Sequence, residues 1–144
     1  MTNNFFIAGR ARNRAKILTI CDIFDRLNIP YYCFLKNEKS NSAAGLDVNG
    51  DLEELTNKYE NLSLDSKELK TLFEYDMEAL QESQNLLLVL PAGKSGHIEA
   101  GVAYGSGKKC YAIGEYDVAD SLYLIFDKIF ANDAELAAFL KKLS

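Results

Sequence analysis

The run "NLLLVL" at residues 85–90 constrains this chain more than any other stretch. A strand with one wet face alternates apolar and polar residues, whereas the five aliphatic residues after Asn85 leave no wet face. Such a strand belongs in the middle of a parallel sheet covered by helices on both sides. The rest of the chain supplies the neighbours. "NFFIAG" (4–9) reads as a buried strand closed by Gly9, and "RNRAKILTICDIFDRLNI" (12–29) as an amphipathic helix with Ile17, Leu18, Cys21, Ile23, Phe24 and Leu27 on its apolar side. Pro30 stops that helix, and "YYCFL" (31–35) is a second strand rich in β-forming residues. Strand, helix and strand within about 30 residues form a βαβ unit with parallel strands.

Further along, "KCYAIG" (109–114) is another buried strand, and helices are predicted over 65–83 and 95–106. Phe73, Met77 and Leu80 are the expected packed face of the first of these. The tail "VADSLYLIFDKIF" (118–130) reads either as one helix or as a short helix followed by an edge strand near Lys128. Asn132 is the expected N-cap of a closing helix "DAELAAFLKKL", with acids early and lysines late as the helix dipole favours. Residues 37–51, polar and small with an Asn49-Gly50 turn signal, read as a surface loop or flap. There are no repeats and no internal boundary. The expectation is one α/β domain over 1–144, a doubly wound parallel sheet of about five strands in three αβα layers, with ligands at the carboxyl ends of the strands.

Composition narrows the partners. The 144 residues are enough for one domain with a real core, and 48% hydrophobic with 26% charged residues is ordinary for a globular protein. A net charge of −5 and a pI near 4.9 argue against binding nucleic-acid polymers. Cys21, Cys33 and Cys110 are odd in number and lack CxxC spacing, which fits buried free thiols in a reducing cytoplasm. The apolar run before Arg10 and Arg12 is too short for a secretory segment, and no stretch approaches a membrane span, so no membrane partner is expected.

The segment after the central run, "PAGKSGHIEAG" (91–101), carries the chemistry. Gly93-Lys94-Ser95 looks like the tail of a phosphate loop, but that motif needs a glycine at position 88, which is Leu88. Lys94, Ser95 and the start of the next helix could still receive a carboxylate or a monophosphate. A metal site fails on ligand count, with one histidine and no clustered cysteines, and a Ser or Cys triad fails on its base. His97 and Glu99, two apart on a helix, do not face one point. Glu99 remains, expected in the first turn of a helix just past the central strand. A dipole-favoured, solvated carboxylate would explain it alone. Its surroundings ask for more: Gly96, Ala100, Gly101, Ala103, Gly105 and Gly107 strip the helix of bulk, although an interior glycine costs about 1 kcal/mol relative to alanine. Close approach by a ligand, by the sheet or by a second subunit would account for them.

Three stretches, "FFIAGR", "YDMEALQESQNLLLVLP" and "GHIEAGVAYGSGKKCYAIGE", together resemble the nucleoside 2-deoxyribosyltransferase-like superfamily, which includes the deoxyribosyltransferases and the deoxynucleoside 5′-monophosphate N-glycosidases. The G-x-S-x-H-x-E-x-G pattern is similar to its small members. The resemblance covers most of the first and last thirds, and residues 37–65 match nothing in it. It implies a flavodoxin-like sheet, no cofactor and no metal. It also implies a small-molecule nucleoside or nucleotide as partner, whose N-glycosidic bond is cleaved by hydrolysis or transfer.

On this resemblance Glu99 is the nucleophile at C1′, with an ordinary or lowered pKa that keeps it ionised, and Asp76, at the start of a helix, contacts or protonates the base. An N-terminal helix acid is the alternative for Asp76. Gly9, Arg10 and Arg12 match the loop that shapes the sugar and 5′ end, as a phosphate clamp or as solvated residues. Gly93 stands where full transferases carry an aspartate, six positions before the nucleophile. That shifts weight toward hydrolysis, toward a 5′-phosphorylated substrate, or toward binding without cleavage. Ser95 lies near a serine-containing loop of the monophosphate glycosidases. His97 either orients a base or phosphate, or caps and packs, while Tyr31, Tyr32 and Tyr104 either stack on a base or serve the core. A homodimer or higher homo-oligomer is implied, with the helix around Gly101 and Gly105 as its contact or packed closely on the sheet. The competing classes are a non-catalytic nucleotide-binding or sensing module and a purely structural protein.

Overall fold

A computed structural model describes residues 3–117 and 120–143. Five parallel strands, β1 (Asn3–Ala8), β2 (Tyr31–Cys33), β3 (Ser83–Val89), β4 (Lys109–Ile113) and β5 (Phe126–Phe130), form one sheet in the order β2-β1-β3-β4-β5. The central run is β3, paired with β1 through Phe6 opposite Leu86 and with β4 through Leu87 opposite Tyr111. The helices are α1 (Arg14–Arg26), α2 (Glu38–Ala43), α3 (Leu52–Glu60), α4 (Lys67–Glu82), α5 (Lys94–Gly105) and α6 (Asp133–Leu143). This is a three-layer α/β arrangement of the flavodoxin-like kind.

Strand alternation divides the core in two. Phe5, Ile7, Leu87, Val89, Tyr111 and Ile113 face α1 and α6, meeting Ile17, Ile20, Phe24, Leu136 and Leu140. Their neighbours Phe6, Ala8, Leu86, Leu88, Cys110 and Ala112 face α4 and α5, meeting Ala79, Leu80, Ala100 and Ala103. The period of two and the absence of a wet face are therefore the same fact seen from two sides. Cys21, Cys33 and Cys110 are buried free thiols, and no helix among the described residues is long and apolar enough to cross a membrane.

Three details differ from the sequence reading, and a fourth settles a choice it left open. Residues 37–51 are not simply a surface loop, because they include α2. Asn37 caps this helix by accepting from the Ser40 N–H (3.1 Å), and the Asn41 amide donates to Phe34 O and Asn37 O, so Ser40 and Asn41 are buried while Ser42 stays exposed. Ala44 and Leu46 then join Ala11, Leu55 and Leu72 in a third, smaller cluster beside the chain that leaves β1. Second, the β2 strand ends at Cys33 and a 3-10 turn over Phe34–Lys36 follows. Third, Phe73 is 63% exposed, because the inward stripe of α4 runs through Leu69, Leu72, Ala79 and Leu80, one residue aside. Fourth, the tail resolves as a 3-10 turn (Ser121–Ile125) followed by the edge strand β5. Its first two residues, 118 and 119, lie outside the described residues. Asn132 accepts from the Glu135 N–H at 3.0 Å, as an N-cap does.

Candidate active site

The strand order fixes where a crevice opens. β1 connects outward to β2 and β3 outward to β4, so the chains leaving their carboxyl ends diverge and leave a gap above the β1–β3 pair. The loop after β3 is pinned in place: Lys16 Nζ donates to Leu90 O (2.8 Å), and Leu90 N–H donates to Ile113 O (2.8 Å). Two glycines allow close packing at this edge, Gly96 of α5 onto β3 and Gly9 against α1. A Cβ at Gly96 would lie 2.7 Å from Leu88 Cδ1 and 3.8 Å from Gly9 N, and one at Gly9 would lie 2.8 Å from Ile17 Cδ1. The first turn of α5 thus rests on β3 beside Gly9. Gly93 is the N-cap of α5, with extended backbone and no side-chain cap.

Glu99 and Asp76 come together at this edge from two packed helices, α5 and α4. Both are half-buried. Asp76 occupies the inward stripe of α4, between Leu72 and Ala79, in the third turn rather than at the helix start; the reading as an N-terminal helix acid is therefore wrong. Glu99 lies in the second turn of α5, not the first. That shift of register matters for its charge. The expected ordinary or lowered pKa is not found: burial, reinforced by the nearby Asp76 charge, raises Glu99 to about 8. The helix-terminal N–H groups that would favour its anion act mainly within the first turn, one turn away. Burial also raises Asp76, to about 6, opposed by a hydrogen bond from the Tyr32 hydroxyl to Asp76 Oδ1 at 3.0 Å. Between about pH 6 and 8 the pair accordingly holds one proton.

Two residues beside Asp76 escaped the sequence reading in this role. Tyr32 stacks on Phe6 (5.3 Å between centroids), and its hydroxyl oxygen accepts from Asn37 Nδ2 at 3.1 Å. Burial, followed by the Asp76 charge, keeps the Tyr32 phenol protonated far above its ordinary range. Of the two uses considered for Tyr32, the structure shows packing, with the hydroxyl turned to a carboxylate. A sequence signal for Asp76 did exist: a carboxylate at an apolar position in the stripe Leu69, Leu72, Asp76, Ala79, Leu80. None existed for Asn37, whose partner is set by the turn after β2.

The remaining candidates divide. Gly9, Gly93 and Ser95 lie at the crevice, Gly9 and Gly93 at its rim and Ser95 exposed in the first turn of α5. Arg10 and Arg12 are drawn toward α3: Arg10 lies 3.9 Å from Glu60, and Arg12 lies 3.5 Å from Glu60 and 3.7 Å from Glu53. His97 is engaged at both ring nitrogens. Nδ1–H donates to Gly93 O (2.8 Å), Nε2 lies 3.0 Å from the Tyr123 hydroxyl, and the ring stacks on Tyr123, which favours capping and packing. Tyr31 packs on Phe24 on the other face of the sheet, while Tyr104 is exposed. A Cβ at Gly101 or Gly105 would meet nothing within 4 Å, so these two glycines face outward and do not serve close packing on the sheet. Among the described residues no group of three or more His, Cys, Asp or Glu side chains is placed to hold a metal ion.

The site therefore offers a hydrogen-bonded carboxyl, a second carboxyl without such a donor among the described residues, and a helix N-terminus with no side-chain cap at one crevice. Compared with known protein families the chain matches none, and compared with curated protein sequences it likewise matches none.

Proposed function

We propose that this protein cleaves the N-glycosidic bond of a (deoxy)nucleoside or its 5′-monophosphate, with Glu99 as nucleophile and Asp76 as the base-side acid. The observation that carries the reading is the convergence of these two half-buried carboxyls from α4 and α5 at the carboxyl edge of the sheet. Such a pair, holding a single proton, contains both reagents a retaining glycosyl cleavage needs. The Glu99 carboxylate attacks C1′ as the C1′–N bond breaks, and Asp76 gives its proton to the departing base. Water, or a second base, then attacks C1′ of the glycosyl ester; Asp76 accepts the proton released and Glu99 leaves as carboxylate. In the empty site the proton sits on Glu99; positive charge developing at C1′ favours the anion there and transfers that proton to Asp76, from which it passes to the departing base.

The sign of the pH dependence follows. Below about pH 6 both carboxyls are protonated and the nucleophile is lost; above about pH 8 both are ionised and the acid is lost. Base release is expected to follow a bell between these limits, highest near their midpoint. The test is chromatographic release of free base from ribo- and deoxynucleosides and their 5′-monophosphates, with and without an acceptor base, by the parent and by Glu99→Ala. Release by the parent with a loss of at least about 10³-fold in the variant supports the reading. No release from any substrate sinks it.

A second reading, a non-catalytic nucleotide-binding module, is favoured by the protonation of Glu99 at neutral pH in the empty site. A neutral carboxyl donates a hydrogen bond as an amide does, so on this reading ligand affinity survives Glu99→Gln. The proposal also includes a homo-oligomer that uses the outward face of α5, where Ile98, Gly101, Val102 and Gly105 are exposed. The mass of the native protein in solution decides that point.

A further inference from the structure

The two carboxyls of the candidate site differ in one respect that geometry alone records: Asp76 receives a hydrogen bond, and Glu99 receives none from the described residues. The donor is directed by a chain of contacts with no freedom in its polarity. Asn37 Oδ1 is taken by the Ser40 N–H at the start of α2, which leaves Nδ2 to face Tyr32 and donate to its oxygen at 3.1 Å. With its oxygen occupied as acceptor, the Tyr32 hydroxyl sends its single hydrogen to Asp76 Oδ1 at 3.0 Å. Asn37 is itself held from behind. Asn41 Nδ2 donates to Asn37 O (2.9 Å), and Tyr59 of α3 donates to Asn41 Oδ1 (3.0 Å).

We propose that Tyr32 and Asn37 are positioning residues of the carboxyl pair: the Tyr32 hydroxyl, aimed by the Asn37 amide, selects Asp76 as the member that ionises first and leaves the shared proton on Glu99 in the empty site. A donor that stabilises one carboxylate of two neighbours decides which is charged, since two like charges close together do not both ionise readily. The groups around the pair offer no rival. Tyr32 comes from β2 and Tyr59 from α3, both phenols kept neutral by burial; the Cys33 thiol, also raised, lies behind them. β1 and β3 present Phe6, Leu86 and Leu88 on this side of the sheet, and among the described residues no lysine or arginine acts on either carboxyl. The catalytic meaning rests on the glycosidic reading: the nucleophile waits capped by a proton, and charge developing at C1′ draws that proton to Asp76. The selection itself is a property of the free protein.

Carbon-13 titration of the side-chain carboxyls therefore tests the proposal without any substrate, in the parent, Tyr32→Phe and Asn37→Ser. The phenylalanine keeps the ring on Phe6, and the serine keeps an oxygen that can cap α2. In the parent, Asp76 is expected to titrate below Glu99. Tyr32→Phe is expected to raise Asp76 by about one pH unit, the size of a lost hydrogen bond to a charged group. Asn37→Ser, which only loosens the aim of the hydroxyl, is expected to raise it by less than half as much. An Asp76 titration unmoved or lowered in both variants, or a parent in which Glu99 ionises first, overturns the proposal. If one variant fails to fold, the other and the parent order still decide it. Shifts as expected in a protein that releases no base would sink the glycosidic reading and leave this assignment standing.

Discussion

Two groups of charges stand near the carboxyl edge of this sheet, built on opposite rules. Arg10 and Arg12 with Glu53 and Glu60 are of opposite sign, and their side chains are 41–72% exposed. Asp76 and Glu99 are of like sign, half-buried, and face no cation among the described residues. The first arrangement satisfies every charge and stores almost nothing, since exposed ion pairs contribute about 0.2–1 kcal/mol each. The second disfavours ionisation, raises both carboxyls, and holds one proton where neutral water would remove both. Charge pairing organises a surface; unpaired burial makes a group reactive.

The largest effect that tests this contrast is on rate. Asp76→Asn removes the proposed acid while keeping a similar shape, and on the glycosidic reading base release at pH 7 is expected to fall by about 10²–10³-fold. The fall should be much smaller for a substrate whose base leaves without protonation. An equal fall for both kinds of substrate would remove Asp76 from the reaction and reduce the pair to a packing feature.

A smaller effect is on stability. The folded Glu99 carboxyl binds its proton more tightly than the unfolded one, about 8 against 4.5, so its contribution is most favourable at low pH and declines as pH rises between those values. Glu99→Gln has no charge to form. It is expected to melt at least about 5 °C above the parent at pH 8.5 and close to the parent at pH 5. Melting curves that run parallel at both pH values would mean that Glu99 ionises in water-like surroundings.

The smallest effect belongs to the exposed group. Arg12→Ala should lower the melting temperature by less than about 3 °C, a difference that shrinks in high salt. On turnover it sharpens the comparison. If the arginines exchange Glu53 and Glu60 for a substrate phosphate, cleavage of 5′-monophosphates drops about tenfold or more while nucleosides lose less than about threefold. Equal losses on the two substrates would leave the arginines as surface residues.

Much of the fold was legible because it depends on local periodicity. The continuous run of β3, the βαβ opening and the cap at Asn132 each carry their signal within a few residues. Phe73 misled because an exposed aromatic fits a 3.6-residue period as well as a buried one, and only the inward stripe through Leu72 and Asp76 shows which side the sheet covers. Residues 37–51 misled for the opposite reason. Serines, asparagines and a glycine look like solvent-exposed loop, yet Asn41 is only 3% exposed because Phe34 O, Asn37 O and the Tyr59 hydroxyl satisfy its amide.

By itself, then, the sequence determined a parallel α/β sheet and put Glu99 just beyond its central strand, because apolar periodicity and glycine placement are written along the chain. Only the tertiary structure decided what that carboxylate is. It moved Glu99 into the second turn of α5, beyond the reach of the helix N-terminus, brought Asp76 from α4 near enough for its charge to act on Glu99, and supplied Tyr32 and Asn37 to one member of the pair. A pKa depends on burial and on neighbours within a few ångströms, and residues 32, 37, 76 and 99 become neighbours only when the helices pack.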